Sequence, residues 1–175
     1  MMHNIIKLII SFAITSLSLS AFAGDEPSTD SYTIYLVRHA EKQIIEGERN
    51  PELTQCGVKR AEQLADILEN VKLASVFSTN YKRTIATAKP TAQQKQLTIK
   101  NYDPRELTTI SKLLINQKQS ALVVGHSNTT PQLTQLISKQ DVKKLTELEY
   151  QELYQVQITG NERTLTRLKQ PLECS

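Results

Sequence analysis

The stretch YTIYLVRHAE occupies residues 32–41. Its first six residues are β-branched, aromatic or aliphatic, which is strand composition. Arg38, His39 and Glu41 follow at once. A strand that runs straight into charged side chains delivers them to a sheet edge, and open α/β sheets bind ligands beyond the carboxyl ends of their strands. A second stretch, ALVVGHSN at residues 121–128, repeats the arrangement. Its apolar run is of the buried, parallel type, and it ends on a second imidazole, His126.

Working outward, strand and helix patterns alternate, the signature of a largely parallel sheet covered by helices. Thr54 is placed to cap a helix reaching about residue 70, with Val58, Ala61, Leu64, Ala65 and Leu68 on one face. Residues 74–77 read as a strand. Residues 83–94 carry a helical pattern that Pro90 should kink or break. A strand over 97–101, a helix over 106–117 and a helix over 130–139 complete the alternation. Residues 153–159 and 164–168 flank Gly160-Asn161, a turn signal, and read as a hairpin. The expected fold is α/β: a single-domain, three-layer α/β/α sandwich over residues 32–175, with a mostly parallel central sheet and a C-terminal β-hairpin.

The start of the chain reads as an address. Lys7 precedes an apolar run over residues 8–19, diluted by Ser and Thr, and Ala21-Phe22-Ala23 stands before Gly24. This is the small-x-small pattern of a cleavable secretory signal peptide over residues 1–23. The run is short of the ~20 apolar residues needed to span a bilayer, and no Cys marks a lipid-anchor site. A periplasmic or secreted protein is expected, without an integral membrane segment after processing, and with a flexible polar tail over residues 24–31. Export permits disulfides. Cys56 and Cys174 are either a pair closing a long loop or two free thiols.

Composition excludes several classes. The 175 residues carry a formal charge of +3, reduced by one when Lys7 leaves, and no long basic run, so no nucleic-acid partner is expected. The five glycines are scattered, which rules out the G-x-G-x-x-G dinucleotide loop and the Walker loop. Without C-x-x-C or H-E-x-x-H, a metal site has little to build on, and no cofactor is implied.

The polar groups gather after the strands: Arg38-His39, then Ser78 to Arg83, then Asp103 to Glu106, then Gly125 to Asn128. In a parallel sheet these four loops share one edge. A neutral imidazole is a good nucleophile when one ring nitrogen is held as N–H and the other presents its lone pair. Guanidinium forks match phosphate oxygens, and phosphoryl transfer needs mostly positioning and charge neutralisation. A carboxylic acid nearby would protonate the leaving oxygen.

Four local patterns sharpen this. Arg38-His39-Ala40-Glu41, Leu53-Thr54-x-x-Gly57, Ser78-Thr79-x-x-x-Arg83-Thr84-x-x-Thr87-Ala88 and Val123-Val124-Gly125-His126-Ser127 resemble, in order, the motifs of the histidine phosphatase superfamily, the phosphoglycerate mutase-like enzymes. The R-H-A-E form resembles the small phosphatases more than the mutases. The resemblance covers about residues 32–168. It implies an enzyme, a phosphatase, with His39 as the nucleophile that becomes phosphohistidine, and Arg38, Arg83 and His126 as phosphate ligands. It implies Glu106 as proton donor, with Asp103 as its rival. Ala40 departs from the commoner Gly, and Arg60 from the commoner Gln. Lys42 and Arg105 either extend a basic mouth or are simply solvated.

Other readings fail on counting. Gly125-x-Ser127 is not a G-x-S-x-G nucleophile elbow, because Thr129 holds the last position and no histidine follows Ser127. His39-Ala40-Glu41 lacks the P-C-x-x-C partner of a deaminase. The expectation is therefore an exported, metal-independent phosphomonoesterase and a monomer. Its substrate would be a phosphorylated cell-surface glycolipid, sugar phosphate or phosphoprotein. The alternatives are a non-enzymatic phosphate-binding protein of the same fold, or a phosphomutase.

Overall fold

The computed structural model describes residues 31–174. The expected signal peptide lies outside the described residues, as does the expected tail except for Ser31, which is the first residue of a strand. Six strands and four helices alternate: β1 (Ser31–Arg38), α1 (Gln55–Ile67), β2 (Ser75–Ser78), α2 (Lys82–Gln94), β3 (Ile99–Asn101), α3 (Leu107–Gln117), β4 (Ala121–Gly125), α4 (Thr129–Ser138), β5 (Glu152–Thr159) and β6 (Glu162–Lys169). The sheet order is β3-β2-β4-β1-β5-β6. The pairs β1–β4, β4–β2 and β2–β3 are parallel, and β1–β5 and β5–β6 are antiparallel. The hairpin closes through Gly160 at φ +58°, in the left-handed region that glycine adopts without penalty.

Alternation along β1 makes the three layers. Ile34 and Leu36 point into one cluster with Val123, Leu133, Ile137, Ile110 and Leu114, so α3 and α4 cover that face. Tyr35 and Val37 point into the other, with Val76, Val124, Leu64, Leu68, Ala88 and Ala92, so α1 and α2 cover the second face. Residues two apart share a face and successive residues oppose. A strand apolar at every position is therefore buried on both sides.

Two local expectations are corrected. Val58 is exposed; the inward face of α1 is Gly57, Arg60, Ala61, Leu64 and Ala65. Arg60 turns inward to meet Glu41, and a charge on the core face is invisible to an apolar periodicity. Secondly, α2 runs through Pro90 without a break. Ala88, Thr91 and Ala92 on either side of Pro90 are buried, so packing holds the helix together across the missing N–H.

Cys56, in the first turn of α1, is disulfide-bonded to Cys174, with Cα atoms 6.0 Å apart. Of the two readings left open by the sequence, the paired one holds. No described helix is long and apolar enough to cross a membrane.

Candidate active site

The parallel strands carry Arg38, Ser78, Asn101 and Gly125 to one edge, since Arg38 is in register with Gly125, Val124 with Ser78, and Ser78 with Asn101. The His39 amide donates to Gly125 O (2.9 Å), which extends the register by one residue past the strand and brings the two histidine loops together. The rings of His39 and His126 lie edge to face, with centroids 5.5 Å apart. A cavity of about 370 Å³ opens over them, lined also by Lys42, Tyr81, Arg83, Arg105, Ser127 and Glu147.

His39 is buried, at 3% exposure. Its Nδ1 lies 2.8 Å from Ala40 O. A carbonyl only accepts, so Nδ1 carries the proton and Nε2 the lone pair. The Ala40 amide in turn donates to Thr87 Oγ1 (2.9 Å), which fixes the loop against α2. Burial pulls the His39 pKa down to about 3, with the positive charges of Arg38 and Arg83 adding to it against the Ala40 hydrogen bond. The ring is neutral, as a nitrogen nucleophile must be.

His126 Nε2 lies 2.9 Å from Thr79 Oγ1, and that hydroxyl donates onward to Thr84 Oγ1 (3.0 Å). A hydroxyl has one proton to give, so Thr79 accepts from His126 Nε2–H. Burial, then Arg83 and Arg38, lower the His126 pKa to about 4.

Arg38 is almost fully buried, at 2% exposure. Nη1 donates to Thr146 O (2.9 Å) and Glu149 O (3.3 Å), Nη2 pairs with Glu147 Oε2 (2.8 Å), and the Tyr150 ring lies 4.0 Å from the guanidinium carbon. Arg83 lies over Tyr81 at 4.7 Å. Among the described residues, Arg38 Nε and Arg83 Nε are buried without a protein acceptor. Buried N–H groups without acceptors are costly, so leftover donors on two arginines close enough to shift both imidazoles suit an oxyanion. Glu41 accepts from Arg60 Nε (2.9 Å) and Nη2 (2.6 Å), a partner 19 residues away in the chain.

Arg38, His39, Arg83 and His126 are therefore brought together. Glu106 is not: it is exposed at the N-terminus of α3, where it accepts from Thr109 Oγ1 (3.4 Å), and it does not line the cavity. Asp103 is no better placed; the Arg105 guanidinium holds its carboxyl down to about 2. Lys42 and Arg105 do line the mouth. Glu147 and Tyr150 escaped the sequence reading. Their segment follows α4, which ends at the far edge of the sheet, and Leu153 of β5 pairs with Val37 of β1. An antiparallel β5 must start at the edge where β1 ends, so residues 139–151 return the chain to the site. The hairpin pattern was the available signal.

One cluster of possible metal ligands is found among the described residues, Glu41 with Cys56 and Cys174. Its two sulfurs are joined in the disulfide and offer no thiolate.

Residues 34–107 match the family model of the histidine phosphatase superfamily, branch 1. The resemblance carried by the motifs stands, and the match contains three of the four motifs. No curated protein matches the chain. Among solved structures, the fold is similar to that of the protein histidine phosphatase SixA complexed with tungstate (TM-score 0.63, 14% identity, 78% of this chain and 96% of that one). It is similar to YhfR of Bacillus stearothermophilus (0.63, 16%, 77% and 95%). It is similar also to a phosphoglycerate mutase from Bacillus anthracis str. Sterne (0.62, 14%, 80% and 93%).

Proposed function

We propose that this protein is an exported, metal-independent phosphomonoesterase that works through a phosphohistidine on His39. The observation that carries the reading is the His39 tautomer. Nδ1–H is spent on Ala40 O, and Nε2 is left beside a cavity shared with His126 and Arg83. The family match and the fold agree with it.

The phosphoryl group docks on the leftover donors of Arg38 and Arg83. A dianion against His126 favours its imidazolium, which adds a third cation. The His39 Nε2 lone pair forms the N–P bond as the P–O bond to the leaving group breaks. Water then forms a P–O bond as N–P breaks, and neutral His39 returns. Fixed cations supply the charge neutralisation, so no metal is required. The open mouth, with Lys42 and Arg105 on its rim, suits a phosphate carried on a glycolipid, a sugar or a protein. Export rests on the signal-peptide reading of residues 1–23.

The test is hydrolysis of an aryl phosphate by the mature protein. Activity should survive a chelator, and His39→Ala should reduce turnover by several powers of ten with the fold intact. Loss of activity on chelation that zinc or magnesium restores would refute the metal-free route. Acid-labile phosphate on His39 after a denaturing quench would identify the intermediate.

A further inference from the structure

The phosphatase reading leaves the departing oxygen without a carboxylic acid to protonate it, since Glu106 lies outside the cavity and Asp103 is held by Arg105. We propose that Glu147 is the general acid–base of this site, giving its proton to the leaving oxygen and taking one back from the attacking water. The assignment rests on the phosphatase reading and deepens it.

Glu147 is the carboxylate that lines the cavity holding both imidazoles. Its position is set by groups of the site itself. Oε2 meets Arg38 Nη2 at 2.8 Å, and Oε1 accepts from Ser127 Oγ at 2.7 Å. Arg38 also grips the backbone of the segment that bears it, through Thr146 O and Glu149 O. That segment is closed on itself, for Glu149 Oε2 accepts from the Thr146 amide (2.6 Å). The buried arginine beside the nucleophile therefore holds the turn, and the turn holds the carboxylate. The Glu147 side chain is 74% exposed, so it exchanges protons with water directly.

The charge arithmetic then drives the proton. Without substrate, the Ser127 hydroxyl and the Arg38 guanidinium keep Glu147 ionised. A phosphoryl dianion competes for the same guanidinium and sets two negative charges beside the carboxylate. Like charges favour the protonated form. Glu147–OH donates as the P–O bond breaks, leaving a neutral alcohol and a carboxylate. When water attacks the phosphohistidine, the carboxylate accepts the water proton, and the N–P electron pair returns to His39. Each proton given is recovered, and no other reactant is needed.

The experiment is a comparison of leaving groups on the mature protein. A general acid matters most when the departing oxygen is basic. Glu147→Gln should cut kcat/KM on a simple alkyl phosphate by ~10²–10³-fold, but on p-nitrophenyl phosphate, whose phenolate leaves unaided, by less than about tenfold. Glu147→Asp should recover part of the alkyl phosphate activity, and Glu106→Gln should show no such selectivity. Thermal melts of each variant establish folding. An equal loss on both substrates would make Glu147 a positioning residue and overturn the proposal. So would unchanged rates with tighter inorganic phosphate inhibition, which would mark Glu147 as a competitor for Arg38. A leaving-group-selective loss in Glu106→Gln would move the acid there. A folded wild-type protein inert toward every monoester would overturn the phosphatase reading itself, and the assignment with it.

Discussion

His39 is buried and His126 half-buried, both beside arginines, and both rings are uncharged for that reason. This has a thermodynamic consequence. In the unfolded chain each histidine titrates near its ordinary 6.5, whereas in the folded protein His39 titrates at about 3 and His126 at about 4. Between these values the unfolded state binds more protons. Stability therefore rises with pH across that window and is lost on acidification from about pH 6.5 downward. For a single group the slope is at most ~1.4 kcal/mol per pH unit. Urea midpoints measured from pH 7 to pH 4 should fall in the native protein and fall less steeply in His39→Gln. Parallel curves would show that His39 is not held neutral. At this scale the sequence was most legible. Arg38, His39, Arg83 and His126 sit in short ordered motifs next to strand ends, and strand ends are where side chains meet. Glu106 lies outside the cavity, and a first-turn glutamate beside a cationic loop has the same local sequence whether it faces the cavity or the solvent.

Among the elements, α1 shows how closely the scaffold is built on the His39 loop. Thr54 caps the helix, accepting from the Gly57 amide (3.0 Å), and the Thr54 amide donates to Glu41 O (2.9 Å). A Cβ on Gly57 would run into the backbone of Glu41, two residues past His39. Gly57→Ala offers up to ~1 kcal/mol of helix propensity, but overpacking of this kind costs typically ~1–3 kcal/mol. The expected result is a melting temperature lowered by several degrees, with kcat reduced through displacement of residues 39–41. A raised melting temperature at full activity would show that α1 stands clear of the loop. The helix and its cap were readable from Thr54 and the apolar spacing. Its rotation was not, because Arg60 occupies a core position through a partner, Glu41, that lies 19 residues away.

At the scale of the whole molecule, the disulfide ties the C-terminal segment after β6 to the first turn of α1 across 118 residues. Arg60 Nη2 lies 3.4 Å from Cys174 Sγ, so the bridge also closes over the Glu41–Arg60 pair. A cross-link closing so long a loop contributes about 4–5 kcal/mol in the chain-entropy model. Chemical denaturation of the mature protein with and without reductant should show a loss of that order, and Cys56→Ser with Cys174→Ser should match the reduced form. Coincident curves would mean that the bridge constrains the unfolded chain little. Such dependence accords with the exported setting that residues 1–23 suggest.

The fold class, the layer order along β1, the identity of the imidazole pair and its cations were all determined by local sequence. Strand composition, helix spacing and short motifs are interactions between residues near in the chain. Three things were settled only when the chain closed: the union of Cys56 with Cys174, the inward turn of Arg60, and the arrival of Glu147 on Arg38. Each joins segments distant in sequence. Glu147 reaches Arg38 across 109 positions because β5 runs antiparallel to β1, which sends the preceding segment back to the edge where the histidines stand. No periodicity within the 139–151 segment records that return, since its cause is the pairing of two strands and not the residues between them.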